Sequence, residues 1–283
     1  MKKILVILLA LALVFAFAAC GNQNANTEPA PVDEPADTPE TETVADDDWS
    51  TIQAKGKLVI GITEYEPMNY YDADGTLIGF DTEFAEAVCA ALGVEPEFVV
   101  IDWDNKELEL SSGNIDCIWN GLTVTEERRE NMDFSVSYLE NKQSAVIRVA
   151  DAGTYVDAAS LAGAASVAES GSAGETAILT DLADTEYTAV LAQTDALLEL
   201  KSGAADVAVI DYTMATAMTG EGTDYADLTI LDAIEMTPEE YAIGFRLGST
   251  TTAEVNAVIA SLQADGTLSA LADKYDLADL LIK

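Results

Sequence analysis

Short β-rich runs alternate along most of the chain with segments whose apolar positions recur every three to four residues. Lys57–Thr63 (KLVIGIT) reads as a strand, and the turn signal Asp72-Ala73-Asp74-Gly75 follows it. Phe80, Phe84, Val88, Ala91 and Leu92 then keep helical spacing up to Gly93. Glu97–Ile101 predicts a second strand, Asn105–Ser112 a helix with Asp104 as its N-cap, and Ile115–Trp119 a third strand. Thr125 is placed to cap a short helix beginning Glu126-Glu127-Arg128. The rhythm restarts with a strand over Ser144–Val149, then a segment through Leu161 to the strand Ala165–Ala168. The small-residue loop Gly171-Ser172-Ala173-Gly174 leads to a helix over Glu175–Asp181. Tyr187–Val190 (strand), Asp195–Lys201 (helix) and Val207–Ile210 (strand) come next, then a helix from Tyr212 and a strand over Tyr241–Phe245. Thr252–Gln263 and Leu268–Tyr275 close the chain as amphipathic helices. Strands alternating with helices predict an α/β fold with a parallel sheet. The two halves share this rhythm without a residue-level repeat.

The first residues break the pattern. Met1-Lys2-Lys3 is basic, Ile4 to Ala19 is apolar without a break, and small residues follow. This is the layout of a secretory signal over residues 1–19, short for a spanning helix of about 20 apolar residues. Ala18-Ala19-Cys20-Gly21 resembles the lipobox of bacterial lipoproteins, with Phe17 where Leu is usual. That resemblance implies a lipidated Cys20 at the mature N-terminus; the alternative is an ordinary secretory signal with an incidental cysteine. Asn22 to Asp48 is rich in Asn, Thr, Pro, Glu and Asp and holds no Lys, Arg or aromatic residue. Such a segment buries too little apolar surface to offset its ordering entropy. Residues 20–48 are therefore expected to be a disordered acidic tether.

Charge and composition narrow the chemistry. Thirteen Lys+Arg against 51 Asp+Glu give a net charge of −38 among 283 residues, which repels phosphate backbones and excludes nucleic acid as a partner. The chain has no histidine, which removes Ser-His-Asp catalysis and His-ligated zinc. Beyond Cys20, only Cys89 and Cys117 carry thiols. Their spacing leaves a disulfide and two buried free thiols both open. No metal or other cofactor is expected.

In open α/β sheets ligands bind beyond the carboxyl ends of the strands. Those ends carry Thr63, Glu64, Tyr65 and Glu66 after the first strand and Asn120, Gly121, Thr123 and Arg128 after Trp119. Glu169, Ser170, Gly171 and Ser172 follow Ala168, and Asp211 follows Ile210.

With these stand Gly79-Phe80-Asp81, Ile115-Asp116, Gly121-Leu122-Thr123-Val124-Thr125-Glu126-Glu127-Arg128 and Asp133-Phe134-Ser135. Ala205-Asp206-Val207-Ala208-Val209-Ile210-Asp211, Gly244-Phe245-Arg246 and Asp265-Gly266-Thr267-Leu268 complete the order. The whole resembles the family 3 extracellular solute-binding proteins of ABC transporters, the amino-acid-binding branch, from about Lys55 onward. The resemblance implies a two-lobe periplasmic-binding-protein-like (type II) fold. Lobe 1 would be residues 49–139 plus 240–283 and lobe 2 residues 140–239, joined by a two-segment hinge.

The resemblance also implies roles. Arg128 would hold the ligand carboxylate, as a guanidinium fork does and a Lys does not. The Thr123 N–H and hydroxyl, Ser172 and the Gly171-loop amides would add hydrogen bonds to it. Asp211 and the Gly121 carbonyl would take the ammonium, and Tyr65 and Trp103 would sandwich the side chain. Glu64, Glu66, Trp119, Asn120 and Glu169 are candidate specificity residues that favour a polar or cationic side chain. The function implied is capture of a free amino acid by hinge closure outside the cell membrane, by a monomer anchored only through its lipid, and delivery to a permease. It is not an enzyme on this reading. Two alternatives stay open: a prephenate- or arogenate-type dehydratase, with Glu169 as the obvious acid, and the binding module of a sensor with a separate partner. A purely structural acidic lipoprotein would not need this set of cleft residues.

Overall fold

The computed structural model describes residues 47–283. The expected signal sequence, Cys20 and nearly all of the expected tether lie outside the described residues.

The first half runs α1 (Asp48–Lys55), β1 (Lys57–Ile62), the hairpin β2 (Tyr70–Tyr71) and β3 (Leu77–Ile78), α2 (Phe80–Leu92) and β4 (Glu95–Val100). α3 (Lys106–Ser111), β5 (Cys117–Ile118), α4 (Glu126–Arg129) and β6 (Met132–Phe134) complete it. In β1 the side chains of Leu58, Ile60 and Ile62 alternate onto one face and are fully buried. They pack in one cluster with Phe80, Phe84 and Val88, the apolar stripe of α2. Each such burial contributes about 1.5–3 kcal/mol. α2 ends where Gly93 takes a left-handed conformation.

The second half runs β7 (Leu139–Arg148), β8 (Ala165–Glu169), α5 (Ala173–Asp181), β9 (Glu186–Val190), α6 (Gln193–Ser202), β10 (Val207–Asp211), α7 (Tyr212–Met218) and β11 (Leu228–Ile230). Every residue of β10 is buried, with Val207 and Val209 in one apolar cluster and Ala208 and Ile210 in another. A strand covered on both faces reads as an unbroken apolar run. The chain then returns through β12 (Pro238–Tyr241), β13 (Gly244–Arg246), α8 (Thr251–Ala264) and α9 (Thr267–Lys274).

Two main sheets result. The first has the order β4-β1-β5-β13-β6; the second has β11-β7-β10-β8-β9, with β12 also beside β7. The predicted parallel pairing is present in both sheets, with antiparallel strands added to it. β1 is parallel to β4 and β5, and β8 to β9 and β10, but β13, β7, β11 and β12 are antiparallel additions. The predicted strand Tyr241–Phe245 is two strands, because the chain crosses from the second sheet to the first at Ala242-Ile243. β7 begins at Leu139 rather than Ser144, so its first half is polar. Asp104 does not cap α3: Asp102 Oδ1 accepts the Asp104 N–H at 3.2 Å in a tight turn over Trp103–Asn105, and α3 starts after it. Cys89 and Cys117 are buried free thiols. Burial pushes the Cys89 thiol up to about 12.

Candidate functional site

β1, β5, β8 and β10 all deliver their carboxyl ends to one place. There Tyr65, Trp103, Asn120, Gly121, Thr123 and Arg128, from the half that holds the first sheet, meet Glu169, Ser172, Ala173, Gln193 and Asp211, from the half that holds the second. They line a small cavity of about 10 Å³, which admits the centre of one water-sized sphere. A cleft of about 690 Å³ opens beside it and shares Arg128, Ser172 and Ala173 as walls.

Arg128 reaches the cavity because Thr125 stops the preceding loop. Its side chain accepts the Arg128 N–H at 3.1 Å and starts α4. Arg128 is 7% exposed, and its guanidinium donates to the Thr123 carbonyl at 2.7 Å and the Gly171 carbonyl at 3.2 Å. Burial pulls its pKa down, while Glu239 and then Asp211 oppose that. Arg129 is exposed and lies over the Phe134 ring.

Asp211 occupies the N-cap position of α7 yet makes no capping bond. Its carboxylate turns to side-chain amides instead. Oδ1 accepts from Asn141 and Gln143 at 2.7 Å each, and Oδ2 accepts from Gln193 at 2.6 Å. Burial raises its pKa, and hydrogen bonds from Tyr241 and these amides counter the rise.

Gly121 lies at φ +57°, and a Cβ there would stand 2.6 Å from Tyr65 Cε1. Only glycine lets the loop lie against that ring. The loop is pinned from behind, since Asp81 Oδ2 accepts the Gly121 N–H at 2.7 Å and the Tyr138 hydroxyl at 2.9 Å. Burial pushes the Asp81 carboxyl up to about 7. Tyr65 bonds the Thr213 and Tyr241 hydroxyls at 2.5 and 2.6 Å, so its ring is fixed.

Two expectations change in detail. Ser172 lines the cavity but is the N-cap of α5, accepting the Glu175 N–H at 3.1 Å. The Gly171 N–H is donated to Glu175 Oε2 at 2.7 Å, so it is not free for a ligand. The Gly171 carbonyl instead joins the halves, taking both Arg128 and the Lys106 ammonium, the latter at 2.8 Å.

The specificity candidates divide. Glu169 lines the cavity at 3% exposure with Oε1 unpartnered. Burial first, and Asp211 second, push its carboxyl up to about 8. Asn120 lines the cavity too, but Thr63 and Asn69 occupy its amide. The other three stand elsewhere. Glu64 is exposed. Glu66 borders a separate cleft of about 360 Å³ with Tyr70 and Thr213. Trp119 is fully buried with its ring edge-on to Phe84, 5.0 Å between centroids.

Gln193, Asn141, Gln143, Lys106 and Glu239 were not singled out by sequence. Gln193 follows β9 as the other site residues follow their strands, so the strand-end rule applied there would have found it. Lys106 is 4% exposed, and burial, then Arg128, lower its pKa to about 8.

Residues 58–278 match the family described as bacterial extracellular solute-binding proteins, family 3. The chain belongs to this family. The L-cystine-binding protein TcyJ of Escherichia coli K12 is 27% identical over 231 residues, covering 81% of this chain and 86% of TcyJ. A substrate-binding protein of an ABC uptake transporter from Streptococcus pneumoniae, solved with bound histidine, superposes with a TM-score of 0.77. It is 31% identical and covers 84% of this chain and 99% of its own. An ancestral amino acid-binding protein, AncCDT-1, described as a precursor of cyclohexadienyl dehydratase, gives a TM-score of 0.73 at 27% identity, covering 80% and 98%. The expected two-lobe α/β fold and the role of an extracytoplasmic substrate-binding protein are borne out by this membership and these relatives.

Proposed function

We propose that this family 3 protein captures a free amino acid with a cationic side chain by closing two lobes around it, and hands it to an ABC-type permease. The observation that carries this reading is that Arg128 and Asp211, from opposite halves, line one cavity. A guanidinium suits the α-carboxylate and a buried carboxylate suits the α-ammonium. Neither alone needs the other lobe; the zwitterion needs both, so it stabilises the closed form. The lobes would be residues 49–139 plus 240–283 and residues 140–239, with β7 and β12 as crossing segments. The cavity is too small for an amino acid, so binding requires the halves to part at the Gly171 and Tyr65–Thr213 contacts. The neighbouring cleft, which shares Arg128 and Ser172, is the route in.

The side-chain class follows from charge. Around the cavity Arg128 stands against Asp211 and Glu169. One positive and two negative groups leave one negative charge when all are ionised. A zwitterion leaves that sum unchanged, and a cationic side chain neutralises it. Glu169, with its unpartnered oxygen, is the group placed to meet that side chain.

In this reading residues 1–19 are removed on export, and Cys20 carries the lipid that holds a monomer at the outer face of the cell membrane. Binding rather than turnover is the role in this reading, in keeping with relatives described as amino-acid-binding proteins. The test is a thermal-shift screen of the mature protein against the twenty common amino acids, cystine and ornithine. Each is also incubated with the protein and assayed for conversion. A shift confined to cationic amino acids, without conversion, supports the reading; no shift with any amino acid contradicts it.

A further inference from the structure

The Asp211 carboxylate is not held by its own strand. Asn141 and Gln143 lie two residues apart on β7, so both side chains project from one face. Gln143 is directly opposite Asp211 on β10, and Asn141 is directly opposite Glu239 on β12. β10 and β12 flank β7 on its two sides. Each amide nitrogen carries two hydrogens, and each divides them across the strand. Asn141 Nδ2 donates to Asp211 Oδ1 at 2.7 Å and Glu239 Oε1 at 2.5 Å. Gln143 Nε2 donates to the same two oxygens at 2.7 Å each. All four N–H groups are thereby spent on two carboxylate oxygens.

Two neutral amides thus form a bridge between a carboxylate at the cavity and one at the edge of the cleft. With Glu239 in place, neither amide can rotate without losing a bond at its far end. Without that acceptor Gln143 keeps only its amide bond to Asp211, and Asn141 keeps that bond and a long one from the Thr213 N–H, so both lose the contact that ties them across the strand. Asn141 also accepts the Thr213 N–H through Oδ1, at 3.4 Å, which fixes which end of its amide faces the carboxylates.

From this geometry we infer that Glu239 is a positioning residue for ligand capture: through Asn141 and Gln143 it locks the Asp211 carboxylate in the orientation that receives the ligand's ammonium. Glu239 touches no ligand in this role. Because it sits on β12, a crossing segment, the ammonium site is fixed to the strand that links the two sheets. The inference rests on the reading of Asp211 as the ammonium site.

The test compares Glu239→Ala, which removes the acceptor, with Glu239→Gln, which keeps an acceptor oxygen without the charge. Affinity is read by calorimetry with L-arginine, or with the amino acid giving the largest thermal shift if that is another. Side-chain amide hydrogen exchange is read by NMR on the ligand-free protein. E239A is expected to weaken binding at least tenfold and E239Q less than threefold. E239A should also speed exchange of the Asn141 and Gln143 amides at least tenfold, leaving the buried Asn69 and Asn120 amides unchanged. Unchanged affinity in E239A, an equal loss in E239Q, or faster exchange shared by Asn69 and Asn120 overturns the inference. If the wild type binds no amino acid, the reading of the site fails on its own, and the exchange data still decide whether Glu239 holds the bridge.

Discussion

Arg128 and Asp211 face one cavity from opposite halves, and each is held by neutral groups rather than by the other. Carbonyls of Thr123 and Gly171 steady the guanidinium; amides of Asn141, Gln143 and Gln193 steady the carboxylate. Among the described residues neither enters an ion pair. Their charges are oriented but unspent, which is what recognition of a zwitterion requires.

Replacing Arg128 should therefore remove binding without unfolding the protein. Arg128→Ala leaves a ligand carboxylate without its charged donor, a loss of about 2–4 kcal/mol, or roughly 30- to 1,000-fold. Arg128→Lys should restore little, because an ammonium cannot present two parallel N–H groups. Calorimetry reads both; a lysine variant with near wild-type affinity would show that charge alone suffices.

Glu169 should couple binding to protons. Its free-state pKa of about 8 means that it is largely protonated at pH 7. A cationic side chain favours the ionised form, so binding releases a proton. Affinity for L-arginine should rise from pH 6 to pH 9, and the heat of binding at pH 7 should differ between buffers of different ionisation enthalpy. Glu169→Gln should weaken both effects, with Glu239 and Lys106 still titrating in this range, and leave citrulline, the neutral analogue, bound as before. Buffer-independent heats in the wild type would contradict the assignment.

The same group predicts the stability profile of the ligand-free protein. A carboxyl raised from an ordinary 4.5 to about 8 stabilises the fold fully below pH 4.5, and that contribution is lost as pH rises through about 8. Asp81 and Glu239, each raised to about 7 chiefly by burial, act in the same direction. Lys106, lowered to about 8, opposes them only above pH 8. Thermal midpoints should fall between pH 5 and pH 8, and less steeply in Glu169→Gln. A flat profile would show that these carboxyls are not raised.

Gly121→Ala should damage both fold and site. A left-handed alanine costs about 1–2 kcal/mol, and its Cβ would meet Tyr65 at 2.6 Å. A drop in Tm of about 2–8 °C is expected from the backbone alone. Gly75→Ala, at φ +78° with open space around its Cβ, is the control that carries the same backbone cost without the clash. Equal drops in the two variants would show that Tyr65 is not the constraint.

Strand ends were legible because chemistry there follows topology. Tyr65, Gly121, Arg128, Glu169 and Asp211 were each named from the residues that follow an apolar run, and the fold brings all five together. Asn141 and Gln143 were not legible. They alternate with charged residues in the polar half of β7, which reads as a loop until β10 and β12 pair with it. Glu239 stood in a run of acids, and only its register opposite Asn141 sets it apart from Glu240, which is exposed. Glu64, Glu66 and Trp119 show the converse. Proximity to a strand end does not fix which way a side chain points: Thr63 and Tyr65 are buried, while Glu64 between them is exposed.

The central claim is most directly tested by pairing each charged residue with the ligand group it is said to hold. Calorimetry would compare L-arginine, agmatine (no carboxylate) and 5-guanidinopentanoate (no ammonium) on the wild type, Arg128→Ala and Asp211→Ala. The wild type should prefer arginine to either analogue by about 100-fold. Arg128→Ala should lose the preference over agmatine alone, and Asp211→Ala the preference over 5-guanidinopentanoate alone. Preferences that survive in both variants, or collapse together in each, would contradict the account.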